Sequence, residues 1–347
     1  MPKAIKNTWR GTGLLFNAPM PCDDNAGVAK LLGQCPAHAP TPLTSVPELA
    51  DRLGVASVLI KDERGRMGLG SFKALGAAHA IAREAAATDP DDWSTALAGR
   101  IFATASAGNH GISVAAGARI FGAQAVIYLS ETVPEPFAQR LRKMGAEVVR
   151  AGSQYEESMD AALKAAEENG WTLLSDSSWG GYTDLPYRVM EGYLQLAAEA
   201  ADDMDEAPTH IMLQAGVGGL AAAIAAYARR RWGDAPEIIV VEPEAAPALM
   251  ESIYAGELVE STGPVSSMGR LDCKTASLIA LNGLARDADQ FVTVTEDEAA
   301  EAMPILAAMG LETTPSGGAG LTALLAGLPL PNDARVWAIL SEGPEDA

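Results

Sequence analysis

The sequence predicts an α/β protein built on two open, mostly parallel sheets flanked by helices. Two observations carry that prediction. Short apolar runs rich in β-branched residues recur at 57–60, 101–104, 125–129, 148–150, 210–213, 238–241, 291–294 and 336–340. Amphipathic, Ala-rich stretches at 73–87, 110–121, 154–169, 186–201 and 221–232 separate them. A strand covered on both faces reads as a continuous apolar run, and parallel neighbours need a crossover helix between them. Strand–helix alternation therefore implies parallel sheets with right-handed connections.

The polar stretch 86–99, which carries Pro90, marks an expected passage into a smaller lobe, and 175–186 marks the return. The expected division is a large lobe of 1–88 with 177–347 and a smaller inserted α/β lobe of 89–176.

The chain has 347 residues, 48% hydrophobic and 20% charged, which suits a folded protein with a sizeable core. Its net charge of −20 argues against nucleic acid and anionic membranes as partners, since both require a basic patch. Cys22, Cys35 and Cys273 form no CxxC pair, so the cytoplasm is the expected compartment. Residues 1–10 lack an apolar signal core. No run approaches the roughly 18–20 apolar residues of a membrane helix. The four histidines are isolated and no HExxH spacing occurs, so no metal is expected.

Four stretches carry candidate chemistry, and three directly follow an expected strand, where open parallel sheets bind ligands. The first is Ser71-Phe72-Lys73, approached through Gly65, Gly68 and Gly70. A lysine opening a helix is by itself an ordinary surface cation. Placed there, however, the positive end of the helix dipole together with burial is expected to depress its pKa and suit it to imine formation. The second is Ser106-Ala107-Gly108-Asn109-His110-Gly111. It offers hydroxyl, amide and backbone N–H groups to a carboxylate or phenolic oxygen, or else caps the following helix.

The third stretch is Gly216-Val217-Gly218-Gly219-Leu220, whose small residues let a phosphate reach the backbone at a helix start. The lysine of a P-loop is missing and the spacing is not GxGxxG, which disfavours a nucleotide triphosphatase and a nicotinamide dehydrogenase. The fourth is Ser341-Glu342-Gly343, where a hydroxyl meets a heterocyclic nitrogen or simply ends a strand.

In this order the four motifs resemble the fold type II pyridoxal-phosphate enzymes, the group of tryptophan synthase β, threonine dehydratase and serine racemase. The resemblance covers nearly the whole chain and is closest to the diaminopropionate ammonia-lyase family. Supporting strings are Ala39-Pro40-Thr41-Pro42-Leu43, Ile60-Lys61-Asp62-Glu63, Val126-Ile127-Tyr128, Asp176-Ser177-Ser178-Trp179-Gly180-Gly181-Tyr182-Thr183 and Leu271-Asp272-Cys273.

The resemblance implies pyridoxal 5′-phosphate held by Lys73 as a Schiff base, with Lys73 also the base at the substrate's α-carbon. It implies Phe72 beside the ring, Asn109 on the phenolic oxygen, Gly216, Val217, Gly218, Gly219 and Leu220 around the phosphate, and Ser341 at the pyridine nitrogen. Ser106, Asn109 and His110 lie where it places the substrate carboxylate. Asp176 is then a second catalytic candidate, anchoring a cationic leaving group, although a turn-capping role also fits. The implied reaction is α,β-elimination from a small L-amino acid of the 2,3-diaminopropionate kind, giving a keto acid and ammonia. A serine/threonine or hydroxyaspartate dehydratase is the alternative, and a non-catalytic binding protein on the same fold is disfavoured by Lys73 and Asn109. A homodimer is expected by analogy.

Two departures stand out. Ala107 occupies the place of a second proton-exchanging residue, which implies action on one enantiomer and no racemase activity. Thr314-Pro315-Ser316-Gly317-Gly318 lacks a glutamate that relatives often carry there.

Overall fold

The computed structural model describes residues 2–344. Its strands are β1 Lys3–Lys6, β2 Leu43–Ser45, β3 Ser57–Asp62, β4 Ile101–Ala105, β5 Gln124–Leu129, β6 Glu147–Arg150, β7 Thr172–Leu173, β8 His210–Gln214, β9 Glu237–Pro243, β10 Gln290–Val294 and β11 Arg335–Leu340. Its helices are α1 Ala26–Leu32, α2 Pro47–Leu53, α3 Lys73–Ala86, α4 Asn109–Ile120, α5 Glu135–Lys143, α6 Tyr155–Asn169, α7 Asp184–Asp202, α8 Gly219–Trp232, α9 Ala248–Ala255, α10 Leu278–Asp287, α11 Glu296–Ala308 and α12 Ala319–Leu325.

One sheet has seven strands in the order β1-β10-β9-β8-β11-β3-β2, and the other has four in the order β6-β5-β4-β7. The four-stranded sheet is parallel throughout, with Phe102 opposite both Ala125 and Thr172. In the larger sheet only the edge strands β1 and β2 run antiparallel. The two sheets and their helices are the fold type II architecture.

All eight apolar runs of the sequence are strands here. Every residue of β8 is buried, as a central strand covered by helices on both faces requires. The strands that escape the pattern are β1, β2 and β7. β1 and β2 are exposed at most positions, and an edge strand open to water carries no continuous apolar signal. β7 has two residues, too few for any periodicity.

Helix α3 packs against α7 through two glycines. A Cβ on Gly192 would lie 2.5 Å from the Leu75 carbonyl oxygen, and one on Gly76 would lie 2.6 Å from Tyr193 Cε1. Only glycine permits that approach, and it sets where the first residue of α3, Lys73, sits.

The path from β3 to Lys73 is set by a buried, charge-balanced cluster. Lys61, Glu63 and Arg66 have no exposed surface. Arg66 Nη2 lies 2.7 Å from Glu63 Oε1 and 2.6 Å from Glu199 Oε2, and Lys61 Nζ lies 2.7 Å from Glu199 Oε2. Lys61 Nζ also donates to the Thr41 carbonyl at 2.6 Å. Past this anchor the chain turns through Met67, Gly68 and Gly70, all at positive φ, and reaches Lys73. Met67 is the one of the three that pays a steric cost for that conformation.

Removing one member of such a cluster strands the opposite charge in a dry environment. Arg66→Met is expected to lower the unfolding free energy by about 3–5 kcal/mol in urea titrations. The double variant Arg66→Met with Glu63→Leu should recover part of the loss, since the Lys61–Glu199 pair then remains and no carboxylate is left alone. A single variant within about 1 kcal/mol of the parent would contradict this account of the cluster.

Candidate active site

The four motifs and Asp176 converge at the carboxyl ends of strands from both sheets. Lys73 follows β3, Ser106 and Asn109 follow β4, Asp176 follows β7, Gly216–Leu220 follows β8, and Ser341 follows β11. Main-chain bonds stitch the first motif to the fourth. Ser71 and Glu342 form an antiparallel bridge, Phe72 N–H donates to the Ser341 carbonyl at 3.1 Å, and Gly343 N–H donates to the Gly70 carbonyl at 3.0 Å.

Lys73 Nζ makes an ion pair with Asp176 Oδ2 and lies 5.3 Å from the centre of the Phe72 ring. Both side chains keep partial exposure, 22% for Lys73 and 17% for Asp176, so the pair lines a cleft. Burial works to lower the lysine pKa, but the Asp176 carboxylate outweighs it and holds the amine above its ordinary value. Burial likewise favours the neutral form of Asp176, and Lys73 overrides it, holding that carboxyl well below the usual carboxylate range. The expected depression of the lysine pKa is therefore corrected: the helix terminus and burial are present, but a carboxylate in contact dominates both.

Ser106 and Asn109 open α4 from two sides. Ser106 Oγ accepts from Gly108 N–H at 3.2 Å and Gly111 N–H at 3.0 Å, so this hydroxyl orders its own loop. Asn109 Nδ2 donates to Glu342 Oε2 at 2.5 Å. His110 turns inward: it is 4% exposed and its Nε2 sits 2.8 Å from the Leu174 carbonyl. Burial holds its pKa below the ordinary value, so a neutral ring donates to that carbonyl. His110 Nε2 is thus not brought to the cleft with Lys73 and Asn109. Ala107 is exposed at the loop tip.

Ser341 is buried and held by its backbone between Phe72 and Gly317. Sequence reasoning passed over its neighbour. Glu342 is 4% exposed and binds Asn109, Arg270 Nε at 3.0 Å and the Thr314 hydroxyl. Burial pushes its carboxyl up, against the pull of Arg270 and the Thr314 bond. The 314–318 loop thus meets a carboxylate reaching it from β11. The available signal was the middle residue of Ser341-Glu342-Gly343, a charge at the end of a buried strand.

The loop between β8 and α8 is closed in by its neighbours. A Cβ on Gly216 would meet Cys273 Sγ at 3.0 Å and the Arg270 carbonyl at 3.1 Å, and Gly218 has φ +95°. A side chain at Gly216 would require its neighbours to give way, and one at Gly218 would be strained by its φ. Such a loop leaves backbone N–H groups at the start of a 14-residue helix, an arrangement suited to a phosphate. Cys273 is a poor nucleophile here, since burial pushes its thiol up to about 12.

Tyr193, missed in the sequence, stands between the two helix starts. It is 1% exposed, its ring meets Phe72 edge-on at 4.9 Å, and its Cε2 lies 3.7 Å from a Cβ placed on Gly219. Its hydroxyl makes no hydrogen bond of normal geometry among the described residues. A buried hydroxyl left open beside an amine and a phosphate-sized cradle fits a phosphorylated aldehyde cofactor bound there.

No group of three or more His, Cys, Asp or Glu able to hold a metal occurs among the described residues. No helix among them is long and apolar enough to cross a membrane.

Comparison with known proteins identifies the family. The pyridoxal-phosphate dependent enzyme family matches residues 35–342. Diaminopropionate ammonia-lyase of Escherichia coli strain K12 is 32% identical over 340 residues, covering 89% of this chain and 85% of the relative. A catabolic L-threonine dehydratase of Staphylococcus aureus strain USA300 is 29% identical over 313 residues, covering 88% and 84%. The crystal structure of the Escherichia coli diaminopropionate ammonia-lyase in complex with D-serine superposes with a TM-score of 0.89 at 29% identity, covering 100% of this chain and 95% of that one. The chain belongs to the fold type II pyridoxal-phosphate-dependent enzymes, alongside the diaminopropionate ammonia-lyases, and pyridoxal 5′-phosphate is its cofactor.

Proposed function

We propose that this chain is an ammonia-lyase that eliminates the β-amino group of a small L-amino acid of the 2,3-diaminopropionate type, giving a 2-keto acid and ammonia. The carrying observation is the Asp176 carboxylate against Lys73 at the mouth of the cleft. Bound pyridoxal phosphate supplies an electron sink that acidifies the hydrogen on the substrate's α-carbon.

Lys73 Nζ would hold the cofactor aldehyde and, as the amine nearest the substrate's α-carbon, would serve as the base for its hydrogen. Asp176 then faces the β-ammonium group, which a carboxylate attracts and a neutral side chain does not. Asn109 would donate to the cofactor's phenolic oxygen, Phe72 would flank its ring, and the backbone of Gly216, Val217, Gly218, Gly219 and Leu220 would receive its phosphate. Ser341 would meet the pyridine nitrogen, where a neutral hydroxyl, unlike a carboxylate, would not enforce its protonation. Ser106 and Asn109, at the start of α4, would border the place for the substrate carboxylate, and His110, turned to the Leu174 carbonyl, would not.

The same reading divides the chain into a lobe of 1–88 with 177–347 and a lobe of 89–176, and expects a homodimer in the cytoplasm. Three free cysteines are consistent with that compartment.

A serine/threonine or hydroxyaspartate dehydratase is the second reading, favoured by the similarity to a threonine dehydratase. A substrate panel separates the two. L-2,3-diaminopropionate should release pyruvate faster than L-serine does, and faster than L-threonine releases 2-oxobutyrate. Faster turnover of either hydroxy amino acid would favour the dehydratase. The D isomer of diaminopropionate should be consumed far more slowly than the L isomer, because Ala107 cannot exchange a proton; equal rates would refute the single-base mechanism.

Borohydride reduction of the yellow holoenzyme should fix the cofactor to Lys73 and to no other peptide on mass mapping, and Lys73→Ala should carry no label. A label on another lysine, or protein that binds no cofactor, sinks the assignment.

Asp176→Asn removes the group that raises the Lys73 pKa. The pH midpoint of cofactor attachment to the free enzyme should therefore move down from that of the parent, and kcat for diaminopropionate should fall by about 100-fold or more. An unchanged midpoint would mean that Asp176 does not govern the amine.

A further inference from the structure

Glu342 is a strongly buried carboxyl of the site to which the proposed chemistry gives no part. Its environment is specific. Oε2 accepts from Asn109 Nδ2 at 2.5 Å and faces Arg270 Nε at 3.0 Å, while Oε1 accepts from the Thr314 hydroxyl. Its backbone carbonyl accepts from the Thr313 hydroxyl at 2.6 Å, and Thr314 Oγ1 in turn accepts from Gly317 N–H at 2.9 Å. The bridge to Ser71 fixes its main chain. The carboxylate is therefore held from several directions and has little freedom to move.

Burial works against the charge of Glu342, yet donors face both of its oxygens, and with Arg270 beside it the carboxylate accepts on each and donates from neither. A side-chain amide, by contrast, fits a site in either of two orientations, with its N–H groups and its carbonyl exchanged. Contact with Glu342 removes that choice for Asn109. The amide nitrogen must face the carboxylate, and its second N–H then remains on the cleft side for another acceptor. The bond also joins the ends of the two sheets, since Asn109 follows β4 and Glu342 follows β11.

We propose that Glu342 is a positioning residue that locks the Asn109 amide with one N–H directed to the cofactor's phenolic oxygen. The proposal rests on the reading of Asn109 given above. Arg270 and Thr314 keep the carboxylate in place and so belong to the same device.

The test is the absorption of the lysine-bound cofactor as a function of pH. A donor on the phenolic oxygen stabilises its anion and weakens its hold on the imine proton. Losing the donor should raise the titration midpoint by about one pH unit, the size of one hydrogen bond to a charged group. Asn109→Ala and Glu342→Met should each give this rise, and the double variant should give no more than either single change. Glu342→Gln, whose carbonyl oxygen the Arg270 guanidinium selects for the side facing Asn109, should keep the parental midpoint. Unfolding midpoints of all variants, measured in parallel, identify any that lose the fold. Should Glu342→Met misfold, Thr314→Val, which loosens the carboxylate by removing one of its hydrogen bonds, should raise the midpoint in the same direction by a smaller amount.

A folded Glu342→Met with the parental midpoint, beside a shifted Asn109→Ala, overturns the proposal and leaves the Asn109 reading intact. A parental midpoint in Asn109→Ala overturns both. Additive shifts in the double variant also overturn it, since the two side chains would then act independently.

Discussion

The contact between α3 and α7 is the constraint on which the site depends. Gly76 and Gly192 let the two helices touch at backbone distance, and no other residue fits either position without moving a helix. Lys73 begins α3 and Tyr193 follows Gly192 on α7, so this crossing places the amine and the buried phenol together. α8, which starts at the glycine loop, packs on the other side of Tyr193 through Gly219. Three helices are thus registered to each other by close packing of small residues, which tolerates little slack.

Electrostatics then refine what packing places. The chain is strongly acidic, and its buried and half-buried cations near the site are matched by carboxylates: Lys61 and Arg66 by Glu63 and Glu199, Lys73 by Asp176, Arg270 by Glu342. Such matching keeps buried charges from standing alone, which would be costly. It also leaves the recognition of an anionic phosphate to backbone N–H groups and a helix start in the proposed reading, rather than to a dedicated lysine or arginine. The Lys73–Asp176 pair has a second consequence. It keeps the amine protonated in the free enzyme, so the same carboxylate that would attract a β-ammonium group also restrains the nucleophile until the cofactor or substrate takes its place.

Much of this was legible before any coordinates. The eight apolar runs are all strands, because central parallel strands are buried on both faces and must be apolar along their length. The edge strands β1 and β2 were not legible, because a strand that meets water and pairs on one side needs no such pattern. In the site, motif order pointed to Lys73, Asn109 and the glycine loop, and the structure gathers them with Asp176 and Ser341 at the ends of strands from both sheets. His110 shows the limit of motif reading. Its type and place fit a substrate ligand, yet its Nε2 is committed to the Leu174 carbonyl.

What the sequence by itself determined is the order of elements, the parallel character of both sheets and the small-residue loops at strand ends. These follow from local apolar periodicity and from the conformational needs of tight turns. Tertiary structure alone decided the partners: Asp176 against Lys73, 103 residues away, and Glu342 against Asn109, 233 residues away. Those partners reverse the expected pKa of the lysine and bring a carboxylate to the 314–318 loop. Interactions across such separations depend on how helices and sheets pack in space, and no spacing along the chain encodes them. Lys73 was visible as a lysine at a helix start; its state of charge was not.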